Sequence, residues 1–176
     1  MIIICVVGAV IAIMLIAAAL LSEDYTIETD IVINKPKQEV YNYLKILRHG
    51  EHYNKWVMQD PNLRKEFHGT DGTVGFIYKW DSDMKVVGQG EQEITALTEG
   101  KKIDYELRFF KPFKNVCGSS LVTEIVNDSQ TTVSFSFYGK RNYPMRIFHF
   151  LLNLRKVLKK DLHASLVNLK TVLEKS

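Results

Sequence analysis

Cysteine is scarce in this chain of 176 residues, and its two copies lie far apart. Cys5 belongs to an apolar run and Cys117 to the remainder, so no disulfide can form within one folded domain. Familiar catalytic and ligand-binding patterns are missing as well. The glycine-rich stretch 69–75 lacks the Gly-Lys-Ser/Thr of a phosphate loop, no nucleophile elbow surrounds Ser119 or Ser120, and no complete zinc ligand set occurs. The sequence therefore predicts no catalytic residue, no metal and no cofactor.

The first 21 residues contain no charge and no proline. As a helix they would be about 31 Å long, close to the hydrocarbon thickness of a bilayer. A cleaved secretory signal would require a lysine or arginine before the apolar run, and none is present. Residues 17–19 could nevertheless supply its cleavage site. We expect a single-pass membrane anchor at residues 1–21, with a cleaved signal and a buried helix as the alternatives. Lys35 and Lys37 give a slight preference for a cytoplasmic domain.

Hydrophobic periodicity divides the remainder into strands and helices. Apolar residues at every second position predict a strand at 25–34. Helical spacing then predicts a helix that ends at His49-Gly50 and a short helix at about 51–58. Further strands are predicted at 63–69, 72–83, 86–97, 102–109 and 131–138.

Two of these segments indicate the architecture. The clean alternation of 102–109 is typical of an antiparallel sheet with one solvated face. From Pro144 onward, leucines at steps of three and four predict one long amphipathic helix. The element order predicts an α+β fold in a single domain, residues 24–176, with this helix across the concave face of a curved antiparallel sheet.

Four stretches carry a family resemblance: "IVINKPKQEVYNYLKILRHGEHYNKW" (31–56), "GTVGFIYKWDSD" (72–83), "VGQGEQEI" (87–94) and "IDYELRFFKPF" (103–113). Together with the element order they resemble the START-like, or SRPBCC, helix-grip superfamily, in particular its membrane-anchored branch labelled "polyketide cyclase/dehydrase". The resemblance implies a sheet of seven strands that grips the carboxy-terminal helix, with a hydrophobic tunnel between them. Family members bind lipids, sterols, polyketides or other apolar molecules, and a minority catalyse reactions on them.

On such a fold, one side of 72–83 would carry Val74, Phe76, Tyr78 and Trp80 toward the tunnel. The residues expected to line it are apolar or amphipathic and large: Trp56, Phe76, Tyr78, Trp80, Tyr105, Phe109, Phe135, Phe137, Met145 and Phe148. The alternative is a fully packed core, because each buried ring contributes roughly 1.5–3 kcal/mol by leaving water. If acid–base chemistry occurs, Tyr78 or Tyr105 is the type of residue it would use.

Positive charge is concentrated before and within the long helix. Between residues 140 and 160 the chain has seven basic and no acidic residues, although its net charge is only +3. The residues expected to contact a membrane surface are Arg141, Arg146, Arg155, Lys156, Lys159 and Lys160. Near anionic lipid each basic residue contributes about 1 kcal/mol, whereas a merely solvated helix face is the alternative. Nucleic acid is not expected, because exposed stacking aromatics are not interleaved with these charges.

The resulting functional hypothesis is membrane-tethered binding or transfer of a hydrophobic small molecule or lipid. A cyclase or dehydratase acting on a polyketide-like substrate is an alternative. A third possibility is a protein-interaction module, for which an exposed apolar patch would be expected.

Overall fold

The structure, a computed structural model, describes Gly8, residues 22–140 and residues 153–175. Apart from Gly8, the predicted anchor at residues 1–21 lies outside the described residues. Within the described ranges, no helix combines the length and the apolar character that crossing a bilayer requires.

Seven strands form one sheet in the spatial order β1-β7-β6-β5-β4-β3-β2, and every neighbouring pair is antiparallel. The strands are β1 (Asp24–Ile33), β2 (Arg64–His68), β3 (Ile77–Asp81), β4 (Gln89–Thr98), β5 (Lys102–Lys111), β6 (Asn115–Asn127) and β7 (Gln130–Lys140). Register shifts interrupt the pairing of β4 with β5 and of β6 with β7, and such bulges bend a sheet. The predicted α+β class and antiparallel sheet are confirmed.

Hydrophobic periodicity did not identify β6, which the family resemblance alone implied. The small residues Gly118, Ser119 and Ser120 interrupt its apolar alternation, although Ser119 and Ser120 are both buried. Residue 118 has no room for a side chain, because a Cβ there would lie 2.2 Å from the ring of Tyr138. The strand is therefore stabilised by its partners rather than by a hydrophobic stripe of its own.

The strand β3 begins later than predicted. Gly72 and Gly75 have left-handed φ angles of +77° and +87°, so the chain turns twice before Ile77. Val74 lies between these turns and is 58% exposed, so the prediction that it faces inward is wrong. Phe76, Tyr78 and Trp80 do lie on the inward side, as the alternation predicted.

Helices cover the concave face of the sheet. They are α1 (Lys37–Lys45), a 3₁₀ turn (Leu47–His49), α2 (Gly50–Tyr53), α3 (Lys55–Met58) and α4 (Leu154–Lys175). The long helix predicted from Pro144 is confirmed for 154–175, and its predicted first residues lie outside the described ranges. Leu162, Leu166, Leu169 and Leu173 of α4 are at most 3% exposed and form the core with the sheet.

The short helices are attached to α4 by polar contacts. Lys55 forms an ion pair with Asp161, and its backbone N–H donates to Ser165 Oγ at 3.0 Å. Asn168 Nδ2 donates to the carbonyl oxygen of Tyr53 at 3.2 Å. These bonds fix α2 and α3 beside the helix and leave the space between α3 and the sheet to be filled by side chains.

The register defines two ends of the sheet. At the first, which we call the Asp24 end, the paired residues form a row from β1 to β2 that includes Asp24, Lys140, Asn115, Phe109, Lys111, Gln89, Asp81 and Arg64. The opposite, or Ile33, end contains the β6–β7 turn at Asp128-Ser129.

The helix α4 runs in the same direction as β1. Its His163 contacts Thr29, Lys170 donates to the carbonyl oxygen of Val32, and Glu174 accepts from the backbone N–H of Asn34. Residue numbers thus rise together along both elements. The amino-terminal turns of α4 therefore lie toward the Asp24 end.

Candidate functional site

A cavity of about 270 Å³ lies between the sheet, α3 and α4. Its lining is mainly apolar and consists of Asn54, Trp56, Val57, Leu63, Tyr78, Trp80, Val86, Val87, Gln92, Leu107, Phe109, Ser119, Phe135, Phe137 and Leu158. Val86 is 68% exposed and lies in the β3–β4 loop, so the cavity reaches the surface near the Asp24 end. Pockets for small molecules typically have volumes of roughly 300–1,000 Å³, so this cavity is at the small end of that range.

Most of the aromatic residues singled out in the sequence border this cavity. Six of them are in its wall: Trp56, Tyr78, Trp80, Phe109, Phe135 and Phe137. Their rings come from α3 and from three strands, which the inward alternation of each strand brings together. Met145 and Phe148 lie outside the described residues.

Phe76 is placed differently from the sequence expectation. It is fully buried, and its ring stacks on Phe67 with centroids 6.2 Å apart. It precedes β3 on the side of the Ile33 end, and the guanidinium carbon of Arg48 lies 5.9 Å from the centroid of its ring. Phe76 is therefore a packed core residue rather than part of the cavity wall. Both alternatives left open by the sequence thus occur in one molecule, a packed core at one end and a cavity at the other.

A second, smaller chamber of about 20 Å³ adjoins the first. The two chambers share Asn54, Val57, Tyr78, Gln92 and Phe135 in their linings. Tyr105, another of the predicted residues, lines this smaller chamber together with Glu51 and Tyr53. Its volume corresponds to about one water molecule. We call it the polar chamber.

Two phenol groups in the polar chamber have no hydrogen-bond partner among the described residues. The hydroxyl oxygens of Tyr78 and Tyr105 are both buried and both unpaired. Buried hydroxyls in native proteins are nearly always hydrogen-bonded, because leaving one unpaired costs about 1–3 kcal/mol. Each of the two hydroxyls is therefore able to bond a polar atom of a water molecule or of a ligand.

Both phenols stay protonated at neutral pH. Burial raises the pKa of Tyr78 well above its usual value, and the negative charge of Glu51 raises it further. Burial likewise raises the pKa of Tyr105, with smaller contributions from other groups that include Asp71 and Asp104. Neutral phenols can donate hydrogen bonds, so the two groups suit an acceptor atom.

Sequence reasoning missed the polar residues of the wall. Gln92 faces Tyr78 directly across β3 and β4, and Ser119 lies on β6 in a row with Tyr105. Polar residues at inward positions break the hydrophobic alternation. Only the pairing of the strands shows that these residues face the cavity. Leu158 belongs to the leucine stripe of α4, but nothing in its spacing distinguishes a cavity position from a core position.

The mouth of the cavity depends on close backbone contacts. The indole Nε1 of Trp80 donates to the carbonyl oxygen of Val87 at 3.3 Å. A Cβ on Gly90 would lie 2.6 Å from both Arg108 O and an indole carbon of Trp80. The absence of a side chain at residue 90 thus allows the indole to lie against β4.

Comparison with known proteins identifies the family. Residues 25–174 match the family described as "Polyketide cyclase / dehydrase and lipid transport". The chain belongs to this family. No curated protein matches its sequence significantly.

Several solved structures have the same fold as this polyketide cyclase/dehydrase family member. Protein MLL2253 from Mesorhizobium loti is 15% identical with a TM-score of 0.62, over 86% of this chain and 98% of that one. Norcoclaurine synthase from Thalictrum flavum, in complex with dopamine and hydroxybenzaldehyde, is 8% identical with a TM-score of 0.63, over 86% and 87%. DynU16, a putative protein in the dynemicin biosynthetic locus, is 12% identical with a TM-score of 0.59, over 88% of this chain and 48% of that one.

Two neighbouring histidines of this family member, His49 and His52, contact the same tyrosine. His49 Nδ1 lies 2.9 Å from the carbonyl oxygen of Tyr43, and His52 Nδ1 lies 2.9 Å from its hydroxyl. Among residues 22–140 and 153–175, no group of three or more histidine, cysteine, aspartate or glutamate side chains is arranged to hold a metal ion.

The basic residues of α4 lie on its solvent-facing side. Arg155, Lys156, Lys159 and Lys160 are all exposed, and none forms an ion pair with another described residue. Leu158, between them, borders the cavity. Arg141 and Arg146 lie outside the described residues.

Proposed function

We propose that this protein binds an uncharged apolar small molecule that carries a hydrogen-bond acceptor, and exchanges it at a membrane to which the chain is anchored. The observation that carries the proposal is the division of the cavity into an apolar chamber and a polar chamber with two unpaired phenol hydroxyls. A ketone, quinone or ester would accept a hydrogen bond from a phenol hydroxyl at its carbonyl oxygen and place its hydrocarbon part among the rings.

The lining favours an uncharged ligand. Within the described part of the chain, no lysine, arginine or histidine contributes to either chamber, and Glu51 borders the smaller one. A carboxylate or phosphate there would be a buried, unpaired charge close to another negative group, which is strongly unfavourable. Fatty acids and phospholipid head groups are therefore poor candidates for the polar chamber.

Anchoring follows from residues 1–21, whose length and composition suit a bilayer span. The first strand begins at Asp24, so the connection to such an anchor is about 10 Å at full extension. The folded domain would then lie against the bilayer surface. The exposed basic residues of α4 support this arrangement, because they lie toward the same end of the sheet as Asp24.

The test uses the full chain in detergent micelles and two probes of similar shape, fluorenone and fluorene. Binding is followed by the fluorescence of Trp56 and Trp80, both in the cavity wall. We expect a preference for fluorenone that falls about fivefold in Tyr78→Phe, since a hydrogen bond is worth about 1 kcal/mol. The ligand-free variant is expected to be as stable as the parent or more stable, because it removes an unpaired hydroxyl.

Tyr138→Phe is the matched control, since its ring lies on the solvent-facing side of the sheet. Equal binding of the two probes by the parent, or a preference that survives in both Tyr78→Phe and Tyr105→Phe, would contradict the proposal. Native mass spectrometry of the purified chain adds an independent result. A bound apolar molecule supports the proposal, whereas a bound protein supports an interaction module.

A cyclase or dehydratase is the second candidate function, and the family description favours it. The two phenols and Glu51 could donate and accept protons beside a carbonyl group in the polar chamber. Turnover of an added polyketide-like ketone, abolished by Tyr78→Phe or Tyr105→Phe, would support this function. Binding without turnover would support the binding function and not the enzymatic one.

A further inference from the structure

Two hairpins at the Asp24 end expose large apolar side chains next to the mouth of the cavity. The β3–β4 loop contributes Met84 and Val86, which are 43% and 68% exposed. The β5–β6 hairpin contributes Phe110, Phe113 and Val116, of which Phe113 is 72% exposed. Isolated exposed apolar residues are ordinary, but a group on adjacent loops indicates an interaction surface.

The two hairpins form one surface. A Cβ on Gly88, in the first hairpin, would lie only 2.1 Å from the carbonyl oxygen of Lys111 in the second. Val86 and Val87 of the first hairpin and Phe109 beside the second all border the cavity. We call this surface the hairpin pair, defined by residues 82–88 and 110–116.

Lysines accompany the apolar residues of the hairpin pair. Lys85, Lys111 and Lys114 are exposed, and none forms an ion pair with another described residue. The acidic residues nearest the hairpin pair, Asp81 and Asp83, are both bound by Arg64, and the exposed Asp24 at the start of β1 lies opposite Lys140. Positive charge around exposed apolar side chains matches the interface of an anionic bilayer, where apolar groups enter the headgroup boundary and lysines meet the lipid charge.

The opposite end of the sheet provides a contrast. Ile125 and Val126, at the β6–β7 turn, are also exposed, at 65% and 50%. Their neighbours Glu124 and Asp128 are exposed acidic residues, which an anionic surface would repel. Exposure of apolar residues alone therefore does not distinguish the two ends, whereas the sign of the adjacent charge does.

The position of β1 gives the third argument. Asp24 pairs with Lys140 at the end of the sheet that carries the hairpin pair, so the apolar run 1–21 joins the domain there. The basic first turns of α4 lie toward the same end. We propose that the hairpin pair docks into the headgroup region of an anionic bilayer, so that the cavity opens toward the lipid phase. This inference rests on the proposed membrane anchoring and adds which surface faces the bilayer.

The test uses the full chain reconstituted into vesicles, in a Cys5→Ser background with one added cysteine that carries a fluorescent label. The labelled positions are Phe113→Cys in the hairpin pair and Val126→Cys at the opposite end as the matched control. Vesicles consist of phosphatidylcholine alone or of a mixture with phosphatidylserine, and some of the lipid carries a nitroxide quencher. We expect strong quenching at 113 only in the mixed vesicles, weak quenching at 126 in both, and loss of the difference at about 1 M salt, where the screening length is about 3 Å.

Charge variants test the role of the lysines. Lys111→Gln and Lys114→Gln should each weaken the docking equilibrium measured at 113 about fivefold, because each basic residue near such a surface contributes about 1 kcal/mol. Lys101→Gln, an exposed lysine at the opposite end, should leave it unchanged.

Three outcomes would overturn the inference. They are equal quenching at 113 and 126, equal quenching at 113 in neutral and anionic vesicles, and burial of the label at 113 in micelles that depends on protein concentration. The last would show that the hairpin pair binds a second copy of the chain. Fluorenone binding in micelles does not depend on docking, so retained binding without docking overturns this inference and leaves the proposed ligand site intact.

Discussion

At the scale of single residues, the same inward-facing position can serve the core or the cavity. Phe76 and Tyr78 are two apart on one face and both rings pack against Phe67, yet only Tyr78 borders the two chambers. The alternation of the sequence predicts that both side chains point inward. It does not predict which of them borders the cavity, because that depends on which side chains of other elements lie opposite each position.

Cys117 is a residue whose environment has a measurable consequence. It is 4% exposed, and burial, with a smaller effect from Glu106, raises the pKa of its thiol to about 12 from an ordinary 9.0. The thiol ionises first in the unfolded chain, so its contribution to stability is complete below about pH 9 and is lost as the pH rises toward 12. Between these values the free energy of unfolding should fall by about 1.4 kcal/mol per pH unit from this group.

Urea unfolding of the Cys5→Ser chain in detergent, at pH 8 to 10, measures this slope. Tyrosines with raised pKa values add to the slope at higher pH, and Cys117→Ala retains them. The difference between the two chains therefore isolates the thiol. Identical slopes would show that burial does not raise the pKa of the Cys117 thiol as the structure indicates.

At the scale of elements, the sequence predicted most strands and the helices, and most strand ends lie within about three residues of the prediction, but it missed β6 and the start of β3. The clean alternation of β5 was enough to predict its position, whereas β6 was missed because Gly118, Ser119 and Ser120 carry too little apolar surface to show a period. The start of β3 was placed too early because glycine turns at Gly72 and Gly75 reverse the chain without altering the apolar pattern. Partner strands and positive φ angles, rather than hydrophobicity, decide these boundaries.

Gly75, before β3, and Gly88, after it, both have left-handed angles and allow a matched experiment. Gly75 has φ +87° and no other atom within 4 Å of where a Cβ would stand, whereas at Gly88, φ +67°, a Cβ would meet the Lys111 carbonyl oxygen at 2.1 Å. Gly75→Ala should cost about 1–2 kcal/mol, the penalty for a side chain in this conformation. Gly88→Ala should cost a further 1–3 kcal/mol or so, because the backbone must also move.

Thermal or urea unfolding of the two variants gives the comparison. Gly88→Ala should also weaken probe binding, since Val86 and Val87 border the cavity and move with the loop. Gly75→Ala should bind the probe as the parent does. Equal destabilisation by the two substitutions would mean that the contact between the hairpins is not a constraint in solution.

At the scale of the whole molecule, the helix-grip architecture and the family were predictable, whereas the division into a packed half and an open half was not. Leu162, Leu166, Leu169 and Leu173 are buried in the core, but Leu158 of the same stripe borders the cavity. A stripe of identical residues cannot show where a helix leaves the sheet surface. The positions of α2 and α3, held by the polar contacts to α4, determine that distance.

A substitution that fills the cavity should abolish ligand binding without lowering the stability of the ligand-free chain. Fluorenone at one hundred times its dissociation constant should raise the free energy of unfolding of the parent by about 2.7 kcal/mol. Leu158→Trp should abolish this increase without destabilising the ligand-free chain, because the larger ring occupies the cavity. Leu158→Ala enlarges the cavity and should retain the increase. A strongly destabilised Leu158→Trp chain would indicate that this part of the molecule is already closely packed.

The last wall of the cavity comes from a helix that is synthesised after all seven strands. Until residues 154–175 leave the ribosome, the concave face of the sheet lacks the cover of α4, and aromatic rings that α4 would cover are available to any apolar surface nearby. Chains caught in that state would aggregate or associate with chaperones more readily than the finished protein. Ligand capture in the complete cavity can therefore begin only after translation has passed this helix, and truncation before residue 154 would yield an insoluble product rather than a weaker binder.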